Sequence, residues 1–205
     1  MKLGVLAIQG DFEVHCRALA SLEADASEVR APEQLDALDG LVIPGGESTT
    51  IAKGMERDGL DEAIGRRFAD GMPIFGSCAG MIVCDRNHLG LGDYVCRRNA
   101  FGRQLASFEQ DLVIEGLGDD PLRAVFIRAP WVSEHGTGVE VLAAHEGHPV
   151  AIRQGALLAV AFHAELTDDT RLHAYFMAMA TTQGAQSADG PTPHPRTRSG
   201  GGAGR

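Results

Sequence analysis

Three short apolar runs, each closed by a glycine turn and followed by a helix-like pattern, constrain the fold of this chain more than any other feature. The first is "LGVLAI" from Leu3, followed by Gly10 and then by Val14, Ala18, Leu19 and Leu22 at helical spacing. The second is "LDGLVIPGG" from Leu38, with Ser48 placed to cap a helix through Ile51, Met55 and Leu60. The third is "MPIFGSCAGMIV" from Met72, which reads as strand, tight turn and helix. Apolar residues run continuously in these strands instead of alternating, so both faces must be covered, and that is the habit of a parallel sheet between helices.

Beyond Leu89 the texture changes. "DLVIEGL", "RAVFIRAP", "VEVLAAH", "HPVAIRQ" and "ALLAVAFH" follow one another, with Glu146-Gly147-His148 and Gln154-Gly155 as turns, and read as hairpins added to the parallel core. A helical pattern through Leu172, Tyr175, Phe176 and Met179 closes the fold, and no internal repeat is present. The expected architecture is therefore α/β and three-layered, a mostly parallel central sheet flanked by helices and extended by antiparallel strands.

At 205 residues the chain suits one domain, and 44% hydrophobic against 22% charged residues is enough to build a sizeable core. The domain is expected over residues 1–182. Residues 183–205 hold six Gly and three Pro and almost no large apolar side chain, which predicts a disordered tail. A net charge of −10 repels phosphate backbones and anionic lipid, which argues against nucleic-acid or membrane binding. No apolar run approaches the roughly 20 residues that span a bilayer, and the first residues meet polar side chains too early for a signal segment, so a cytoplasmic location is expected. In that setting Cys16, Cys78, Cys84 and Cys96 read as free thiols.

Gly76-Ser77-Cys78-Ala79-Gly80 has the spacing of a nucleophile elbow, in which a strained strand-to-helix turn lifts one side chain out of the sheet between small neighbours. A helix N-terminus there would favour the Cys78 thiolate. A buried cysteine in an ordinary tight turn explains the pentapeptide equally well. A nucleophile needs a base, and the base needs an orienting group. In "AFHAELTDD", His163 ends the last apolar strand and Glu165 follows two residues later, on the same side of an extended chain. The plain alternative is a histidine at a strand end beside a solvated acid. In Pro44-Gly45-Gly46-Glu47-Ser48-Thr49-Thr50, backbone amides at a strand end are placed to bind an oxyanion with the amide of Ala79, although a glycine turn plus a helix cap accounts for the same residues.

Taken together, "GSCAGMI", "LVIPGGESTT", "RNAFGRQLASFE", "VFIRAPWV" and "FHAELTDDTRLH" resemble the PdxT family, the class I glutamine amidotransferase subunits of pyridoxal 5′-phosphate synthases. The similarity runs from "GVLAIQGD" to the final helix, and "PGGEST" with "NAFGRQ" points to this subfamily among glutamine amidotransferases. The resemblance implies a glutaminase that releases ammonia from L-glutamine for a synthase partner, PdxS, in vitamin B6 biosynthesis, without cofactor or metal. It implies Cys78 as nucleophile, His163 as general base and acid, and Glu165 as its orienting residue. It further implies that Gly45, Gly46, Glu47, Arg98, Ile127 and Arg128 bind glutamine, with Gly46 and Ala79 forming the oxyanion hole. Gln9-Gly10 and Gly45-Gly46 both fall at expected strand ends, where a misaligned loop would leave the triad idle until the partner docks.

The chain departs from the family pattern at three places. Ala164 stands where Pro is usual, Ser77 where Thr is common, and "DRN" makes a short connection between Cys84 and His88. Among other features, the spacing of Cys84, His88 and Cys96 matches no common zinc pattern. Cys16 is expected in the core, Trp131 against the pocket wall or packed, and Arg66-Arg67 on a solvated helix face. Two other functions fit the motifs: a different cysteine hydrolase on the same fold, and a non-catalytic protein that docks on a synthase.

Overall fold

The computed structural model describes residues 1–101 and 107–188, with side chains through 182. Strand β1 (Lys2–Leu6) leads to helix α1 (Phe12–Ser21), β2 (Asp25–Val29) and a single 3-10 turn at Pro32–Leu35. Strand β3 (Gly40–Ile43) is followed by α2 (Ser48–Asp58) and α3 (Leu60–Ala69), and β4 (Ile74–Ser77) by the short α4 (Ala79–Val83). Then come β5 (Tyr94–Arg97), β6 (Ser107–Leu112), β7 (Leu122–Ile127), β8 (Trp131–His135), β9 (Glu140–His145), β10 (His148–Gln154) and β11 (Leu157–Val160). A 3-10 turn at Ala164–Leu166 precedes α5 (Arg171–Ala188).

Seven strands form the main sheet in the order β2-β1-β3-β4-β11-β10-β9. The first five are parallel, and β10 and β9 are antiparallel additions. β5 pairs with β8 and β6 with β7 in two separate antiparallel ribbons. The expected α/β architecture is the observed one, because β1, β3, β4 and β11 are buried along nearly their whole length. Along β4, Phe75 meets rings of α1 and α5, whereas Gly76 lies against the start of α4, so helices cover both faces of the sheet.

Several expectations change in detail. "ALLAVAFH" contributes a parallel core strand beside β4 as well as one arm of a hairpin with β10. β2 carries the polar sequence "DASEV", buried only at its last position, and gives almost no apolar signal of its own. The helix read as continuous from Ile51 to Leu60 breaks at Gly59, whose φ of +71° ends α2 with a left-handed cap. Ser48 is inside that helix, and Glu47 caps it by accepting from the Thr49 and Thr50 amides at 3.1 and 2.8 Å. A carboxylate outcompetes the hydroxyl because it accepts both orphan amides at once.

α5 continues through Ala188, so the first six residues expected in the tail have helical backbone. The loss of large apolar residues places the expected boundary at 182, but a helix already nucleated by the packed turns before it continues through Ala188. Residues 189–205 of the expected tail, and 102–106 of the "NAFGRQ" motif, lie outside the described residues. Arg67 is not merely solvated: it donates to the carbonyls of Leu35 and Leu38 at 3.2 and 2.8 Å, tying α3 to the loop before β3. Cys16 is half-buried at the edge of the core. Trp131 stacks on His148 at 3.7 Å between ring centres and packs edge-on against Phe101.

Candidate active site

Cys78 sits between β4 and α4 with φ +50° and ψ −102°, a conformation that a non-glycine residue adopts only when its surroundings impose it. The imposition is visible on both sides. The Cys78 amide donates to the Val160 carbonyl of β11 at 2.8 Å, and a Cβ on Gly76 would come within 2.8 Å of the Gly80 backbone. A Cβ on Gly80 would in turn overlap the Ile43 carbonyl, so both glycines are required by close approach, as the elbow pattern demands. The helix behind the thiol has only five residues, so any assistance from its dipole is confined to the first-turn amides.

The pairing of β4 with β11 carries His163 to the same rim. Val160 is opposite Ser77, and the chain passes through Ala161 and Phe162 before His163 donates its amide to the Val125 carbonyl at 2.9 Å. β7 thus fixes the backbone of His163 from a second direction. His163 Nδ1 is 2.7 Å from Glu165 Oε1. The two side chains meet across a 3-10 turn, not along the extended chain expected, and Ala164 is accommodated inside that turn. Gly45 is pressed against both partners: a Cβ there would lie 2.5 Å from His163 Cε1 and 3.4 Å from Cys78 Cβ.

Burial disfavours the charged imidazole of His163, yet hydrogen bonding with Cys78 and Glu165 outweighs it and raises the ring to about 10. Burial likewise opposes ionised Glu165, but contacts from His15 and His163 hold its carboxyl well below the usual range. The Cys78 sulfur lies 3.9 Å from the Ile127 carbonyl, at the mouth of a cleft of about 320 Å³. Burial, first among the causes, raises the thiols of Cys16, Cys84 and Cys96, so none of those three offers a ready thiolate.

Of the residues singled out in the sequence, Gly46, Glu47, Cys78, Ala79, Arg98, Ile127, Arg128 and His163 line this cleft. Gly45 abuts it and Glu165 stands behind His163. Arg98 donates to Glu47 Oε1 at 2.9 Å and to Thr49 Oγ1 at 3.2 Å. The Thr50 hydroxyl and the Thr49 amide lead the contacts that lower Glu47 to about 2. Arg128 and Asn99 both have positive φ, so among the described residues three of the five non-glycine residues in that region of backbone space border the same cleft.

Sequence reasoning left several neighbours unassigned. Asp11 and Asn99 also border the cleft, as does Ser48, expected only as a helix cap; Gln9 and Gly10, expected at a strand end where sites form, line it too, and Gln9 Oε1 accepts the Glu47 amide at 2.9 Å. The Ser48 hydroxyl is buried without a partner among the described residues. Behind Glu165, Ser77 Oγ is 3.1 Å from Oε2, His15 Nε2 is 3.2 Å from the same oxygen, and His173 Nε2 is 2.9 Å from His15 Nδ1. His15 is four residues before Leu19 on the buried face of α1, which is the signal that marks it.

The fold and this arrangement agree with known proteins. The model of the SNO glutamine amidotransferase family matches residues 5–182. The chain is 53% identical to the pyridoxal 5′-phosphate synthase subunit PdxT of Salinispora tropica, over 85% of this chain and 94% of that protein. It is 47% identical to the PdxT subunit of Thermotoga neapolitana, over 87% and 99%. A crystal structure of a glutamine amidotransferase superposes with a TM-score of 0.83 at 46% identity, covering 87% of this chain and 98% of that one. PurLQS from Thermotoga maritima shares the fold alone, with a TM-score of 0.67 at 15% identity over 86% and 97%. A strained cysteine elbow, a histidine–carboxylate pair beside it and a match along nearly the whole folded chain place this protein in the SNO glutamine amidotransferase family.

Proposed function

We propose that this chain is the glutaminase subunit of a pyridoxal 5′-phosphate synthase, hydrolysing L-glutamine through Cys78, His163 and Glu165 and passing ammonia to a PdxS synthase subunit. The observation that carries the reading is the single rim on which the Cys78 elbow and the His163–Glu165 pair meet, both against Gly45. The identity to PdxT subunits along nearly their full length supports the choice of pathway.

The Cys78 thiolate attacks the side-chain amide carbon of glutamine, forming a C–S bond and a tetrahedral oxyanion, with the amides of Gly46 and Ala79 as its donors. His163, charged by the thiol proton, gives that proton to the departing nitrogen, and ammonia leaves as the C–N bond breaks. Water then attacks the thioester, His163 accepts its proton, and glutamate departs as the thiol is restored. Glu165 holds the Nδ1 proton so that Nε2 is free to shuttle. The cleft offers cations at Arg98 and Arg128 and anions at Asp11 and Glu47, a charge pattern suited to the carboxylate and ammonium of a free amino acid.

The Gln9-Gly10 and Gly45-Gly46 turns are in direct contact, since a Cβ on Gly10 would overlap the Gly45 carbonyl. A partner that presses on either turn would move the oxyanion donors, so hydrolysis is expected to rise on binding the synthase subunit. We assign the catalytic domain to residues 1–182 and a cytoplasmic setting to a protein with four free thiols. Glutamate release from L-glutamine, with and without the synthase subunit, tests the reading. Wild type should release glutamate, and Cys78→Ala should not while still binding the partner. Equal release by both would exclude Cys78 as nucleophile, and no release by wild type in the complex would leave only a docking role.

A further inference from the structure

The buried carboxylate of Glu165 has more neighbours than a triad requires. Oε1 faces His163, while Oε2 faces the Ser77 hydroxyl and His15 Nε2. His15 and His173 are both fully buried, one from α1 and one from α5, and Phe75 packs edge-on against both rings. Two histidines without solvent cannot choose their protons freely.

Hydrogen bonding among them leaves one low-cost arrangement. His15 must present a proton to the carboxylate, so its Nε2 is the protonated nitrogen. Its Nδ1 is 2.9 Å from His173 Nε2, so one of those two nitrogens donates and the other accepts. His173 Nδ1 is buried and has no partner among the described residues. If His15 were the donor at Nδ1, neutral His173 would carry its proton on Nδ1, leaving an orphaned N–H in the core, which costs more than an orphaned lone pair. His173 therefore donates from Nε2, His15 accepts at Nδ1 and donates from Nε2, and both rings are neutral. Burial, the largest cause, pushes His173 down to about 3, in accord with a neutral ring. His15 Nε2 is 3.2 Å from Oε2 without a well-formed hydrogen bond, and the Ser77 hydroxyl, 3.1 Å from both Oε2 and the Phe162 carbonyl, must divide its one proton between two acceptors. Both donors are thus needed to keep Oε2 from turning away.

We infer that His15, oriented by His173, is a positioning residue that fixes the Glu165 carboxylate and through it the orientation and tautomer of His163. The inference rests on the triad proposed above and deepens it. Asp11, whose carboxylate lies within 4.8 Å of ligand atoms of both His163 and Glu165, faces the same imidazole from the cleft side and does not replace the contact from behind.

The test uses the full chain in complex with the synthase subunit. His15→Phe keeps the ring volume and removes both polar atoms, whereas His15→Gln retains an N–H donor and a carbonyl acceptor. His15→Phe should lower kcat by about 10-fold or more, less than the roughly 10²–10⁴ that a general base contributes, with KM within about 2-fold of wild type. His15→Gln should recover most of that loss, and His173→Leu should show part of it. The ionisation of His163 seen in the pH profile of kcat should fall in His15→Phe and return toward wild type in His15→Gln. Unchanged kcat in His15→Phe, or equal losses in Phe and Gln variants with KM rising in parallel, would overturn the inference. A second readout needs no variant: ring ¹⁵N–¹H spectra of wild type should show His15 and His173 neutral and protonated at Nε2. A proton on His15 Nδ1 would also overturn it. Absence of glutaminase activity in wild type would instead refute the triad reading, with the spectra still deciding the tautomers.

Discussion

The rim around Cys78 and the antiparallel flank of β9 and β10 are parts of one sheet built on opposite priorities. At the rim, backbone is held at positive φ in Cys78, Asn99 and Arg128, a carboxylate and two histidines are buried behind the imidazole, and a serine hydroxyl has no partner among the described residues. On the flank, β10 pairs in register with β11 and buries Val150, Ala151 and Ile152 completely, while its outer neighbour β9 pairs with shifts of register and joins it through a hairpin turn that holds Glu146 and Gly147 at positive φ, with no chemistry attached. Next to it Phe108 stacks on Phe126 at 4.6 Å, with Phe101 and Trp131 edge-on. The difference teaches that geometry for chemistry is bought at the rim with strain that the flank and core offset by apolar burial.

That contrast can be broken by experiment. The largest effect is expected from Cys78→Ala: glutamate release should drop by roughly 10⁴-fold or more, as when a nucleophile is removed, while the urea midpoint hardly moves. On the flank the balance should invert. Ile152→Ala is expected to cost about 2–5 kcal/mol in urea unfolding, with kcat unchanged in the folded fraction. If Ile152→Ala lowered kcat instead, the two regions would not be separable.

A pH series sharpens the comparison on the rim side. His173 is neutral when folded down to about 3 but takes a proton near 6.5 when unfolded, so the unfolded state binds more protons below that value. Stability should therefore fall as pH drops from about 6.5 to 4.5, by up to about 1.4 kcal/mol per unit. His173→Phe should flatten that slope, and a slope unchanged by the substitution would mean that another group titrates. Below about pH 4.5 Glu165 adds to the loss, because its lowered carboxyl contributes stability only while ionised. A smaller effect is expected from relieving the elbow. Cys78→Gly should raise stability by about 1 kcal/mol although activity is lost, since glycine accepts φ +50° without strain. Smallest of all, Arg123→Ala removes exposed pairs with Asp111 and Glu109 and should leave both activity and the urea midpoint where they are.

Much of the site could be read directly because its parts are local. Gly76 to Gly80 encode the elbow through crowding within five residues, and His163 and Glu165 are close along the chain, so their meeting survives even though a 3-10 turn replaces the expected extended segment. Glu47 as the helix cap was obscured by Ser48, a common capping residue one position later. β2 was obscured because an edge strand in a parallel sheet can be polar at most positions and still pair fully with β1. Ser77, His15 and His173 carry no local pattern that points to Glu165, as Ser77 and His15 reach it from β4 and α1 and His173 reaches His15 from α5.

The sequence by itself determined the strand–turn–helix units, the parallel core they require and the residue types able to cleave an amide, because these depend on periodicity, glycine crowding and short spacing. Only the tertiary structure decided that β11 lies parallel beside β4, bringing an imidazole from one end of the chain to a sulfur near its middle, and that two buried histidines stand behind the carboxylate. Strand order and buried contacts of this kind are settled by the packing of distant segments against one another, and no short window of residues holds that information.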